Sequence, residues 1–251
     1  DSAYIDGVIT VFMILFGINF NMYFLLLIKD VKSVWKNEEV RAYLGIIVAA
    51  TLVITCNVLS IYKEPLKAFR YSIFQVASII TTTGFATADF NLWPELSKCI
   101  LLLIMVIGAC AGSTGGGVKV SRFLILWKSI LKQVKGMLHP KSVNVVKVNG
   151  KKISNETLQG VYAYFSAYVF VFGISVLLVA LDNFDFATTI SGVLTTLSNV
   201  GPGISRVGPI ENFQSFSVLS KIVFSMDMLI GRLEIFPFLM ICSPSFWRKH
   251  F

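Results

Sequence analysis

The chain has 251 residues, 55% of them hydrophobic and only 14% charged, with a mean hydropathy of +0.73; a soluble domain carries roughly 25% charged residues. The net charge of +8 does not mark a nucleic-acid binder, because 15 of the 22 Lys and Arg residues fall within 29–41, 119–152 and 248–249, separated by long uncharged runs. Paired carboxylates, a His cluster and an activated Ser or Cys are all missing from those runs, which speaks against an enzyme.

The uncharged runs are Gly7 to Ile28, Ala42 to Tyr62, Cys99 to Val118 and Leu158 to Leu181, of 22, 21, 20 and 24 residues. At 1.5 Å per helical residue each is about as long as the roughly 30 Å hydrocarbon core of a bilayer. A fifth apolar stretch, 215–243, carries Lys221, Asp227, Arg232 and Glu234. The expected fold class is therefore an all-α, multi-pass membrane protein. The start, Asp1 to Asp6, has neither a Met nor a basic n-region, so no cleavable signal is expected and the chain is expected to begin partway through a larger protein. Cys56, Cys99, Cys110 and Cys242 lie in or at the ends of apolar runs without metal-ligand spacing, and read as packing residues.

Taken in chain order, the predicted elements are a span inward over 7–28, a link over 29–41 and a span outward over 42–62. A re-entrant helix and loop (65–90) and a span inward (96–118) follow. After a basic loop over 119–152, the pattern recurs as 158–181, 184–208 and 215–243. The windows 71–88 and 186–205 are read as re-entrant because a crossing there would put basic loops 29–41 and 119–152 on opposite sides, against the positive-inside rule. Within the basic loop, 142–154 predicts a β-hairpin turning at Asn149-Gly150. It is either a solvated connector or a docking edge for a cytoplasmic partner. Asn155-Glu-Thr157 matches a glycosylation acceptor but falls on the cytoplasmic side and is set aside.

Two segments carry the chemistry. Thr82-Thr-Gly-Phe-Ala86 has the shape of the potassium-channel Thr-Val-Gly-Tyr-Gly signature with its last Gly lost, and Asn199-Val-Gly-Pro-Gly203 keeps a central Gly. Gly84 and Gly201 permit backbone that aims successive carbonyls at an axis. Thr82, Thr83, Gly84 and Phe85, with Asn199, Val200, Gly201 and Pro202, are the predicted filter residues. Their backbone carbonyls are expected to hold a dehydrated cation, and neutral dipoles without a carboxylate ring suit a monovalent ion better than calcium. The alternative is that these glycines only break helices for packing.

The run Gly108-Ala-Cys-Ala-Gly-Ser-Thr-Gly-Gly-Gly117 contains three consecutive glycines inside a span, each costing roughly 1 kcal/mol against Ala in a helix. It should unwind, and Gly108, Gly112, Ser113, Thr114, Gly115, Gly116 and Gly117 are read as a plug across the path. A close helix contact through small residues is the other reading. Arg232 lies deep in the last span, where it either faces a polar path as a barrier to cations, hydrogen-bonds carbonyls of the 108–117 run, or snorkels to the headgroups. Glu234, two residues on, is on a different helix face and is expected to be a poor mate.

These motifs, together with Leu229-Ile-Gly-Arg-Leu-Glu-Ile-Phe236 and Ser243-Pro-Ser-Phe-Trp-Arg248, resemble the Trk-type potassium-uptake channel subunits of the Trk/Ktr/HKT superfamily over nearly the whole chain. That family builds one pore from four span–pore-helix–filter–span repeats. The resemblance implies that 1–28 closes a preceding repeat, 29–136 is a third-type repeat, 137–156 is the hairpin linker and 157–251 is a fourth-type repeat. It further implies K+ uptake across the bacterial plasma (inner) membrane, no organic cofactor and contact with membrane lipid. The implied partners are the N-terminal half of the same pore, a second copy in a homodimer, and a cytoplasmic nucleotide-binding regulatory subunit. The competing function is a secondary cation transporter, a K+ or Na+ symporter binding at broken helices, although such proteins usually show inverted rather than parallel repeats.

Overall fold

A computed structural model describes residues 2–139 and 144–243. Ser142 and Val143 of the expected hairpin, and the Pro244 to Arg248 part of the closing motif, lie outside the described residues. The fold is mostly helical. Helices α1 (Ala3–Phe16) and α2 (Phe20–Leu27) meet at 93°, so the expected single span 7–28 is bent. The bend is at Gly17, where any Cβ would overlap the Tyr43 hydroxyl. That hydroxyl donates to the Ile14 carbonyl at 3.1 Å. Asn19 then caps α2 by accepting from the Asn21 N–H.

A short α3 (Val31–Lys36) leads to α4 (Glu38–Tyr62), which is long and apolar enough to cross a membrane. Asn37 caps α4 through the N–H groups of Glu39 and Val40. Its buried positions Tyr43, Ile47, Ala50, Ile54 and Val58 follow helical spacing, while Val48, Leu52 and Val53 on other faces are exposed and equally apolar. Such a helix suits lipid outside and protein inside. The buried face packs on Val76, Ile79 and Ile80 of α5 (Pro65–Ile80) and on Leu101, Ile104 and Met105 of α6 (Glu95–Ile107).

The broken segment 108–119 separates α6 from α7 (Val120–Leu138), so the third expected span stops at Ile107. Much of the expected loop 119–152 is helix, because α7 is amphipathic and runs to Leu138. Strands β1 (Lys147–Val148) and β2 (Lys151–Lys152) then pair antiparallel about Asn149 and Gly150. The Asn149 side chain accepts from the Glu38 N–H at 2.7 Å, and Lys128 bonds both Glu38 and the Lys147 carbonyl. The strand pair is thereby tied to the start of α4.

Helix α8 (Asn155–Val179), extended by a 3-10 turn to Asp182, is the second continuous helix of spanning length. It is followed by α9 (Phe186–Ser198), α10 (Val218–Leu233) and α11 (Ile235–Cys242). The expected last span 215–243 is divided at Glu234, whose φ is 63° and ψ 148°. Helices α5 and α9, with 16 and 13 residues, are roughly 24 and 20 Å long and too short to span. Both are deeply buried and rich in hydroxyls: Ser72 and Ser78 in α5, and Thr188, Ser191, Thr195 and Ser198 in α9, are wholly buried.

Candidate filter and intramembrane loop

The segments after α5 and α9 turn the same way. Thr82 and Asn199 both take positive φ, 56° and 57°, and Gly84 and Gly201 follow at 80° and 111°. Asn tolerates this region, but a β-branched Thr there is an outlier and marks a strained turn. Superposing Gly84 on Gly201 also superposes the hydrogen bonds. Thr83 N–H donates to the Ser78 carbonyl at 2.9 Å, and Val200 N–H to the Thr195 carbonyl at 3.0 Å. Ser78 Oγ donates to the Phe85 carbonyl at 2.6 Å, and Thr195 Oγ1 to the Pro202 carbonyl at 3.1 Å.

Each hydroxyl lies six residues before its glycine and reaches one residue beyond it. Ser78 and Thr195 were not singled out from sequence, though the superposition of the two glycines contains both. The two segments also touch: the Val200 carbonyl oxygen lies against Gly84, where a Cβ would overlap it. Among the described residues no group of three or more His, Cys, Asp or Glu could hold a metal ion.

Asn91 joins the outer ends. Its Nδ2 donates to the Ser205 carbonyl at 2.9 Å and its Oδ1 accepts from the Ser205 N–H at 2.8 Å. Nothing in the sequence pointed to Asn91, which sits outside both motifs. Asn91→Ala leaves the half-buried Ser205 N–H without its acceptor, while the Ser205 carbonyl keeps the Gly208 N–H; the loss is about 1 kcal/mol. It is expected to lower the thermal midpoint of the purified full-length protein, read by intrinsic fluorescence, by several degrees.

Gly108, with φ 71°, ends α6, and the chain leaves and returns to the same place. Val118, Lys119 and Val120 N–H groups donate to the carbonyls of Val106, Ile107 and Ala109 at 3.2, 2.9 and 3.0 Å, which satisfies acceptors that a helix end leaves open. Every side of the excursion is bonded. The Cys110 N–H donates to the Gly17 carbonyl and the Phe20 N–H to the Gly112 carbonyl, both at 3.1 Å, across the α1–α2 bend. Ala111 N–H donates to Glu39 Oε1 at 2.6 Å. Gly116 N–H donates to Thr82 Oγ1 at 2.7 Å, at the first candidate filter segment. A Cβ on Gly116 would stand 2.5 Å from the Ser198 carbonyl, next to the second candidate segment.

Arg232 completes the ring, donating from Nη1 to the Thr114 carbonyl at 3.0 Å, and the Lys119 ammonium donates to the Gly115 carbonyl. Arg232 is in the last turn of α10, where the helix dipole favours a cation. Glu234 turns away and pairs with Arg122 at 2.6 Å, whose guanidinium lies 4.0 Å from the Tyr164 ring centre. Of the cysteines with described side chains, Cys110 is buried within the loop, while Cys56 and Cys99 are exposed.

A profile of the TrkH family, described as a cation transport protein, matches residues 1–249. The chain is 36% identical over 254 residues to the Trk system potassium uptake protein TrkH of Salmonella typhimurium, covering 99% of this chain and 52% of that protein. It is 30% identical over 240 residues to the Trk system potassium uptake protein TrkG of Escherichia coli, covering 95% of this chain and 49% of that protein. The crystal structure of the potassium transporter TrkH from Vibrio parahaemolyticus superposes with a TM-score of 0.90 at 36% identity, over 98% of this chain and 53% of that one. The chain thus spans about half the length of the curated relatives it matches.

Proposed function

The chain belongs to the TrkH family of cation transport proteins, and on that premise we propose that it supplies two of four filter strands in a bacterial inner-membrane K+ uptake pore. The observation that carries this reading is the repeated turn: two short buried helices, each followed by a positive-φ residue, a glycine and the same pair of hydrogen bonds. Helices α5 and α9 act as re-entrant pore helices in parallel repeats. Carbonyls of 82–85 and 199–202 replace the hydration shell of a monovalent cation. The relatives are transport proteins and not enzymes, and no chemistry beyond ion passage is assigned to this chain. The N-terminal half of the pore completes the filter, a second copy pairs with the whole, and the β1–β2 edge and the end of α7 face a cytoplasmic nucleotide-binding regulatory subunit.

Residues 108–117 form the gate, and Arg232 is its latch. The loop lies under both filter segments and is bonded to the filter residue Thr82. A charge-assisted hydrogen bond such as that from Arg232 to Thr114 contributes about 1.5–3 kcal/mol. Removing it with Arg232→Ala in the full-length channel is expected to raise K+ flux into proteoliposomes about tenfold. Arg232→Lys keeps the charge but not the planar fork and is expected to fall between. If neither substitution changes flux while both proteins reconstitute normally, Arg232 has no part in closure.

A further inference from the structure

Glu39 is 8% exposed, stands in the first turn of α4, and belongs to neither the filter nor the glycine run. A carboxylate is costly to bury without donors, and donors are what surround it. The Ala111 N–H reaches Oε1 at 2.6 Å from the near side of the broken segment. From the far side, the N–H and hydroxyl of Ser121, in the first turn of α7, face the same carboxylate, with the Lys119 charge beside them. One side chain therefore bonds the near flank of the segment between α6 and α7 and stands beside Ser121 of the far flank, on a helix anchored by its own cap and by the β1–β2 turn.

We propose that Glu39 is the positioning residue of the intramembrane loop: its carboxylate holds the two flanks together and so keeps the loop in the closed arrangement. The proposal rests on reading 108–117 as the gate. Arg232 and Thr82 hold the tip of the loop, whereas Glu39 holds its base. A base that opens frees Cys110, whose N–H is bonded to Gly17 and whose side chain is buried one residue from Ala111.

Cys110 supplies a readout that does not depend on flux. In the full-length channel with every other cysteine replaced by Ser, modification of Cys110 by a small methanethiosulfonate reagent added from the cytoplasmic side is followed in time. Local opening sets that rate. Glu39→Ala removes the acceptor of the Ala111 N–H and the carboxylate beside Ser121, and is expected to speed modification about tenfold or more. Glu39→Gln retains one acceptor and should lie between, and Ser121→Ala, which removes only a hydroxyl and leaves the packing of α4 intact, should give a smaller rise. Preference for K+ over Na+ stays unchanged in all three, because the filter bonds are not touched; a general loosening of the fold would not spare it.

Cys110 reacting at the parent rate in Glu39→Ala and Ser121→Ala, in protein of unchanged thermal midpoint, overturns the proposal. Faster modification accompanied by greater K+ leak supports both the tether and the gate. Faster modification with no added leak supports the tether while removing the reading of the loop as an obstruction.

Discussion

Gly84→Ala in the full-length channel is expected to abolish the preference for K+ over Na+, whereas Gly201→Ala is expected to weaken it only in part. The two glycines have the same role in the turn but different surroundings. Both need positive φ, at 80° and 111°, a region that costs an L side chain roughly 1–2 kcal/mol. Gly84 has a second constraint, since its Cβ would overlap the Val200 carbonyl oxygen and crowd Pro202. Relieving that overlap turns a carbonyl of the neighbouring segment away, so one methyl group disturbs two strands. Around Gly201 nothing stands within 4 Å of the corresponding position. Relative K+ and Na+ permeability by reversal potential separates the cases. Equal effects of the two substitutions would show that backbone strain alone matters, and no effect of either would remove the filter assignment.

Gly231→Ala is expected to reduce assembled, conducting channel more than any other substitution in α10. The Gly231 backbone lies flush with the end of α9, so that a Cβ would overlap the Leu197 carbonyl and stand 2.8 Å from Asn199 Nδ2. That amide donates to the Met228 carbonyl at 3.1 Å, fastening the start of the second proposed filter segment to α10. Overpacking of this kind typically costs about 1–3 kcal/mol, and here the displaced atoms are backbone on one side and a filter side chain on the other. Yield of monodisperse protein by size-exclusion chromatography, with K+ flux per reconstituted channel, measures both parts of the loss. Gly45→Ala, where nothing lies within 4 Å, is the control expected to behave as the parent.

The membrane character and the two short buried helices were legible because composition and charge placement depend on a bilayer that acts on every residue. The glycine run was legible for a similar reason: three adjacent glycines disfavour helix wherever they occur. What the sequence concealed were features decided by distant residues. The 93° bend over 17–19 depends on a tyrosine in α4, and the division of the last span at Glu234 accompanies its pairing with Arg122 of α7. Hydrophobicity continues across the first break and resumes directly after Arg232 and Glu234 at the second, so a window average reads each as one span. Glu39 was hidden because a carboxylate at the start of a helix ordinarily reads as a solvated first-turn acid. Helix α7 is hidden in the basic stretch 119–152 because Lys and Arg counts, which signal sidedness, say nothing against helicity.

The web of bonds around 108–117 also bears on the order in which such a chain can be made. Its acceptors and donors are met by residues 16–20, Glu39, Thr82 and, last of all, Arg232. In lipid an unpaired backbone group costs several kcal/mol, so an emerging polypeptide that has been translated only as far as α7 holds an incomplete loop. The Thr114 carbonyl waits for more than a hundred further residues before its guanidinium arrives. Until then the loop lacks its last partner, so its full set of bonds can form only after α10 has been made.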